Sequence, residues 1–166
     1  MRSLFIVRHS KAVDVAPDHT DFGRCLADSG VSKAQLISEV LSKDVSHVDL
    51  MLSSPACRAM ETAQIFAQNL GYDASRISTH EALYHFGGIE RAMHILSQVD
   101  DQHQTVFLFG HNPTFNALSW HLCPEFRDAM PTSSVVGVEL SIKKWADIHR
   151  SRGKLITYLT KRRLGS

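Results

Sequence analysis

The chain has 166 residues, of which 43% are hydrophobic and 21% charged, with a net charge of +1. These values are typical of a soluble globular protein, and the length predicts one domain over residues 1–166. The nearly balanced charge argues against nucleic acid as a partner. No stretch approaches the ~18 apolar residues of a membrane helix, so we expect a cytoplasmic protein without a membrane partner.

Short apolar runs alternate with helical patterns along the chain. Strands are predicted at residues 4–7, 48–52, 106–109, 136–142 and 155–159. Helices are predicted to begin after a cap at Ser29 or Ser32, after Ser54 with Pro55 in the first turn, and at Pro113. This alternation predicts a three-layer α/β/α fold, with a mainly parallel sheet and helices on both faces.

Basic side chains follow three of the predicted strands. Arg8 and His9 come after the first strand, Arg58 follows the second, and His111 comes after the strand that ends at residue 109. The carboxyl ends of parallel strands meet at one edge of a sheet. Four such groups repel one another unless an anion lies between them, and phosphate matches guanidinium groups in bidentate fashion. The backbone amides at the start of the helix after Ser54 are expected to attract the same anion.

This set of residues suits phosphoryl transfer. A neutral imidazole can attack phosphorus and form a phosphohistidine that water later hydrolyses. A second histidine, when protonated, stabilises charge on the equatorial oxygens. We find no dinucleotide or P-loop motif and no zinc-binding spacing, so neither a metal nor a cofactor is expected.

The three cysteines, Cys25, Cys57 and Cys123, are odd in number and contain no CxxC spacing. This pattern predicts reduced thiols rather than a disulfide framework. Cys57 lacks the Cys-x5-Arg loop of cysteine phosphatases, so we expect Cys25 and Cys57 to serve in packing. The basic residues 161–163 (KRR) are expected to form a solvated tail.

Four segments are similar, in the right order, to motifs of the histidine phosphatase superfamily. They are residues 4–12 (LFIVRHSKA), 21–30 (DFGRCLADSG), 52–63 (LSSPACRAMETA) and 110–113 (GHNP). The chain is identified as resembling the small phosphohistidine phosphatase, or SixA-like, branch, over nearly its whole length. The resemblance implies a phosphoglycerate-mutase-like fold.

The resemblance also implies roles for individual residues. His9 would be the nucleophile, Arg8 and Arg58 would bind phosphate, and His111 would be the second histidine of the pocket. Arg24 would lie near the pocket and contribute to substrate binding.

Three further positions are candidates with open alternatives. Ser10 stands where the wider family has Gly and the small branch often Ala, so its hydroxyl either faces the phosphate or narrows the pocket. Asn112, within the third motif, is a predicted substrate contact. Glu81 is the candidate general acid, and a solvated loop glutamate is the alternative.

These observations predict a phosphatase that forms a phosphohistidine intermediate and dephosphorylates phosphohistidine on a partner protein. The short chain leaves no room for the capping insertions of related mutases, which favours an open pocket. The expected partner is a phosphorylated protein or peptide, such as a histidine phosphotransfer domain, and the expected state is a monomer. A phosphatase of small phosphate esters and a non-catalytic phospho-binding module are the alternatives.

Overall fold

The computed structural model describes residues 1–85 and 87–165, and within them six strands form one sheet in the order β3-β2-β4-β1-β5-β6. The strands are β1 (Arg2–Arg8), β2 (Leu50–Ser53), β3 (Ser78–Thr79), β4 (Thr105–Gly110), β5 (Val135–Leu140) and β6 (Lys154–Leu159). Strands β3, β2, β4 and β1 are parallel, whereas β5 pairs antiparallel with both β1 and β6. The prediction of a mainly parallel sheet is confirmed.

The helices are α1 (Asp28–Leu41), α2 (Cys57–Leu70), α3 (Glu90–Ser97), α4 (Thr114–Leu122) and α5 (Lys161–Leu164). Short 3₁₀ helices cover Ala74–Arg76, Glu81–Leu83 and Trp145–Arg150. Among the residues described, no helix has the length and hydropathy that crossing a membrane requires.

Alternate residues of β1 point into two separate cores. Leu4 and Ile6 belong to a core that includes Leu96 of α3 and Phe115 of α4. Phe5 and Val7 belong to a second core, which includes Ile37 and Leu41 of α1 and Phe66 of α2. Because side chains along a strand alternate between faces, the two cores lie on opposite faces of the sheet, and the three-layer prediction is confirmed.

Helix starts differ from the predicted ones. Helix α2 begins at Cys57 rather than directly after Ser54, because the Ser54 hydroxyl accepts the Ala56 N–H at 3.2 Å and makes a turn there. Helix α1 begins at Asp28, before either predicted cap, and its N-cap position has no side-chain hydrogen bond. Helix α3 is absent from the sequence-based prediction.

The prediction of reduced thiols is wrong for two cysteines. Cys25 and Cys57 form a disulfide, with Cα atoms 4.8 Å apart and a sequence separation of 32, while Cys123 is free and buried. The loop before α1 folds back onto the start of α2, where the Cys57 N–H donates to the Phe22 carbonyl at 3.1 Å. Such a tertiary approach leaves no trace in cysteine spacing.

Candidate active site

A cavity of about 300 Å³ lies at the carboxyl ends of β1, β2 and β4. The structure brings all four predicted strand-end groups together in its lining. Its lining residues are Arg8, His9, Asp21, Arg58, Tyr84, His85, His111 and Asn112.

Backbone hydrogen bonds fix His9 at the end of β1. Its N–H donates to the Gly110 carbonyl at 2.9 Å, and its carbonyl accepts the Ser133 N–H at 3.1 Å. The ring nitrogen Nδ1 lies 2.7 Å from the Ser10 carbonyl oxygen. A carbonyl only accepts hydrogen bonds, so Nδ1 carries the proton of the neutral ring and Nε2 carries the lone pair.

The same surroundings keep His9 neutral. Burial, together with the positive charges of Arg58, Arg8 and Arg24, lowers the pKa of His9 to about 4, against the opposing effect of the Ser10 hydrogen bond. At neutral pH the lone pair on Nε2 is therefore available for attack.

His111 is held through Ser54. The Nε2 atom of His111 lies 2.8 Å from the Ser54 hydroxyl, which already accepts the Ala56 N–H. The hydroxyl proton is therefore free to go to Nε2, which places the ring proton on Nδ1. Nδ1 is buried and has no partner in the described structure, so it is the unused donor of this ring.

Electrostatics determine the charge of His111. Burial, together with the neighbouring His9 and the guanidinium of Arg58, lowers its pKa to about 3, whereas Asp21 opposes them. From sequence, a second histidine at this position stabilises the phosphoryl oxygens when it is protonated. In the free pocket burial favours the neutral ring, which offers an N–H to an oxyanion.

The two arginines approach the cavity from different elements. Arg8 ends β1, and its Nη1 donates to the Met130 carbonyl at 2.9 Å while its buried Nε has no partner. Arg58 lies in the first turn of α2, and its Nη1 and Nη2 donate to the Asp21 carbonyl and carboxylate at 2.7 and 3.0 Å. Each guanidinium is thus held by an oxygen from a neighbouring loop.

Asp21 connects several residues of the site and is not among the residues predicted from sequence. Besides Arg58, its carboxylate accepts from the Tyr84 hydroxyl at 2.9 Å and from Arg24 at 3.0 Å. Burial alone would raise the pKa of Asp21, but the hydrogen bonds from Tyr84, Arg24 and Arg58 outweigh it and lower the pKa to about 2. Its position within the DFGR stretch is the one signal in the sequence. Tyr84 and His85 also line the cavity without having been predicted.

Ser10, the candidate position next to the nucleophile, lies outside the lining of the cavity. The residue is fully buried, and its hydroxyl donates to the Gly30 carbonyl at 2.6 Å and accepts from the Ser133 hydroxyl. A side chain at Gly30 would collide with the backbone of Lys11. Ser10 therefore fastens the close approach between α1 and the end of β1.

Arg24 and Glu81 lie outside the lining of this cavity. Arg24 donates through Nε to the Val13 carbonyl at 2.7 Å and holds Asp21, so it is bonded to the site through that carboxylate, and its charge acts on His9. Glu81 is exposed at the start of the 3₁₀ helix Glu81–Leu83, which is the alternative that sequence analysis leaves open.

Two other predictions have different outcomes. Asn112 does line the cavity, and its amide bridges the Met130 carbonyl at 3.0 Å and the Asn116 N–H at 3.1 Å. The amides that open α2 are occupied, since the N–H groups of Ala56 and Cys57 bond to Ser54 and Phe22. The expected amide contribution is therefore wrong at these two positions.

Comparisons with known proteins agree with this geometry. Residues 4–90 match the family model of the histidine phosphatase superfamily, branch 1. A SixA protein from Agrobacterium tumefaciens superposes with a TM-score of 0.78 at 27% identity, covering 96% of this chain and 97% of that chain. The protein histidine phosphatase SixA in complex with tungstate gives a TM-score of 0.82 at 21% identity, with coverage of 98% and 99%.

A third structure, a SixA protein from Nakamurella multipartitia, gives a TM-score of 0.83 at 22% identity, covering 96% of this chain and 95% of that chain. At 21% and 22% identity, the tungstate complex and the Nakamurella protein show that the fold is shared. No curated protein matches the chain at a significant level. The predicted resemblance to the SixA-like branch is confirmed.

Proposed function

The chain belongs to the histidine phosphatase superfamily, and we propose that it removes the phosphoryl group from phosphohistidine on a partner protein, with His9 as the nucleophile. One observation carries the proposal. The Ser10 carbonyl holds the proton of His9 on Nδ1, which leaves the lone pair of Nε2 in a cavity that Arg8, Arg58 and His111 also line.

In the first step, Nε2 of His9 attacks phosphorus while the bond from phosphorus to the substrate imidazole nitrogen breaks. The electron pair of that bond stays on the leaving imidazole, which takes a proton from water. Arg8, Arg58 and the Nδ1–H of His111 supply fixed donors for the phosphoryl oxygens, and such preorganised donors account for most of what phosphoryl transfer needs.

In the second step, a water oxygen attacks phosphorus, the bond from phosphorus to Nε2 of His9 breaks with its electron pair returning to Nε2, and inorganic phosphate leaves with the water oxygen. Asp21 contributes by orienting Arg58, since it holds two of the guanidinium nitrogens. With its pKa lowered to about 2, Asp21 is an anion at neutral pH and does not donate a proton to the leaving group.

The shape and chemistry of the site favour a phosphoramidate on an exposed side chain. The cavity of about 300 Å³ is at the small end of ligand sites. Within the described residues its lining contains one carboxyl group, that of Asp21, which is ionised. Expelling an alkoxide without a proton donor forfeits roughly 10²–10⁴-fold in rate, whereas an imidazole leaving group needs less help.

A substrate panel tests the proposal. We expect purified protein to hydrolyse a phosphohistidine peptide with a kcat/KM roughly 10²-fold or more above that for an alkyl phosphate ester. Comparable efficiency on both would support a small-ester phosphatase instead. Binding of phosphopeptide without release of phosphate would identify a non-catalytic module.

A further inference from the structure

A second groove, of about 620 Å³, adjoins the catalytic cavity and shares Arg8 and Asn112 with it. Its other walls are residues 128–131 and the stretch that leads from β6 into α5, including Arg162 and Arg163. The lining thus holds three arginines against one carboxylate, that of Asp128. The basic tail that sequence analysis treats as solvated therefore lies beside the entrance to the active site.

More cations surround this groove. Lys33 donates to the Thr132 hydroxyl at 3.1 Å, next to the segment that lines the groove. Burial lowers the pKa of Lys33, and the positive charges of Lys161, Lys11 and Arg8 lower it further, so these groups are near enough to repel one another. In the part of the chain that the structure describes, no ion pair neutralises Lys11, Lys33, Lys161 or Arg162.

The lining of this groove is more basic than the chain as a whole. The whole chain has a net charge of only +1, so the cations of the groove are balanced by carboxylates elsewhere on the surface. An excess of cations beside the catalytic cavity attracts an anionic partner and guides it to that cavity.

The aromatic ring in the groove is not available for stacking with nucleic-acid bases. The guanidinium of Arg163 lies 4.8 Å from the centre of the Tyr158 ring, and the Phe126 ring makes an edge contact at 4.9 Å. The Tyr158 hydroxyl donates to the Ala129 carbonyl at 2.7 Å. Single-stranded nucleic acid is commonly bound on free aromatic faces, so the groove suits carboxylates better.

We infer that this groove binds the acidic surface that flanks the phosphorylated side chain of a protein substrate. Carboxylates beside the phosphohistidine would lie against Arg162 and Lys161 while the phosphoryl group enters the cavity next to Arg8. The inference rests on the proposed function and adds a substrate class to it, namely phosphoproteins that are acidic around the modified residue.

A binding measurement tests this inference independently of catalysis. Two peptides carry a non-hydrolysable phosphonate analogue of phosphohistidine, one with glutamates and one with glutamines on either side, and their Kd values are measured by fluorescence anisotropy. We expect the acidic peptide to bind about tenfold more tightly at low salt, and the difference to shrink as the salt concentration rises. Equal affinity for the two peptides would overturn the inference.

A double charge reversal locates the effect. Lys161→Glu with Arg162→Glu changes two exposed residues of α5 and should remove the preference for the acidic peptide while leaving the kcat for p-nitrophenyl phosphate unchanged. The matched control is Lys143→Glu with Lys144→Glu, which are equally exposed and follow the end of β5 that pairs with Arg2. That end of the sheet is opposite to Arg8, so the control should keep the preference.

The remaining outcomes are also decisive. Equal loss of affinity for both peptides in the α5 variant would overturn the inference. The substituted residues would then affect binding of the phosphoryl group next to Arg8 and would not contact the glutamates of the peptide. Tighter binding of a single-stranded oligonucleotide than of the acidic peptide would overturn it as well. A retained preference for the acidic peptide, with no hydrolysis of any phosphohistidine peptide, would support the groove and refute the proposed function.

Discussion

The floor and the wall of the catalytic cavity are built in different ways. The floor consists of His9 and Arg8 at the end of β1 and His111 after β4, where backbone hydrogen bonds of the sheet hold the chain. The wall is the loop of residues 11–27, which contributes Asp21 and is joined to α2 by the disulfide between Cys25 and Cys57.

The difference assigns distinct tasks to the two regions. Burial in the floor lowers the pKa of His9 to about 4 and keeps the nucleophile neutral. In the wall, Asp21 stays ionised because Tyr84, Arg24 and Arg58 donate hydrogen bonds to it. Changes to the floor should therefore stop the chemistry, whereas changes to the wall should weaken binding and stability.

The largest effect is expected from His9→Ala. Without the imidazole no phosphoenzyme can form, so kcat should fall at least ~10³-fold while the circular dichroism spectrum stays unchanged. Alkali-quenched labelling with a radioactive phosphoryl donor should show a phosphohistidine in the wild type and none in the variant. His94→Ala, an exposed histidine of α3, is the control, and normal turnover by His9→Ala would refute the mechanism.

A titration of His9 examines the floor directly. In the free protein, the ring signals of His9 in an NMR titration should shift with a midpoint near pH 4, because burial disfavours the charged ring. Nε2 should keep its lone pair above this pH and lose it as the pH falls below. A midpoint near 6.5, the ordinary value for histidine, would contradict a desolvated floor.

A smaller effect is expected from Asp21→Ala in the wall. It removes the carboxylate bonded to Arg58 at 3.0 Å, so the KM for a phosphohistidine peptide should rise about tenfold, the value of one charge-assisted hydrogen bond. The kcat should change much less, because His9 is untouched. Asp21→Asn, which keeps an acceptor oxygen, should give an intermediate KM. Asp14→Ala, exposed in the same loop, should not change KM.

Loss of the disulfide should affect stability rather than chemistry. Cys25→Ser opens a loop of 32 residues, and the chain-entropy relation gives a loss of about 3 to 4 kcal/mol in the free energy of unfolding. Urea titration of the wild type with added reductant should show the same loss. Cys123→Ala should retain the response to reductant, and a wild type that does not respond would show that the bond is absent in solution.

The strand-end residues of the floor are predictable from sequence because they follow local apolar runs. A strand such as residues 4–7 is recognisable from its composition, and topology then brings His9 and His111 to one edge. The wall is not predictable in this way. The contact of Asp21 with Arg58, 37 residues away, and the pairing of Cys25 with Cys57 depend on how an irregular loop folds back.

The same distinction explains the errors at single positions. Ser10 is adjacent to the nucleophile in sequence, yet the chain has left β1 at Arg8 before it reaches Ser10, and the Ser10 hydroxyl points to Gly30. Ser54 has the residue type of a helix cap, but its hydroxyl holds His111 and the Ala56 N–H, and α2 starts three residues later at Cys57.

The smallest effect is expected from Glu81→Gln, which tests whether Glu81, the candidate general acid, takes part in the reaction. Glu81 is exposed and lies outside the lining, so kcat/KM for a phosphohistidine peptide should stay within about twofold of the wild type, as for surface changes away from the chemistry. Hydrolysis of an alkyl ester should be equally insensitive. A selective fall of roughly 10²-fold with the ester would mean that the 3₁₀ helix moves Glu81 to the leaving group when substrate binds. A residue outside the floor would then take part in the chemistry, and the assignment of the chemistry to the floor alone would fail.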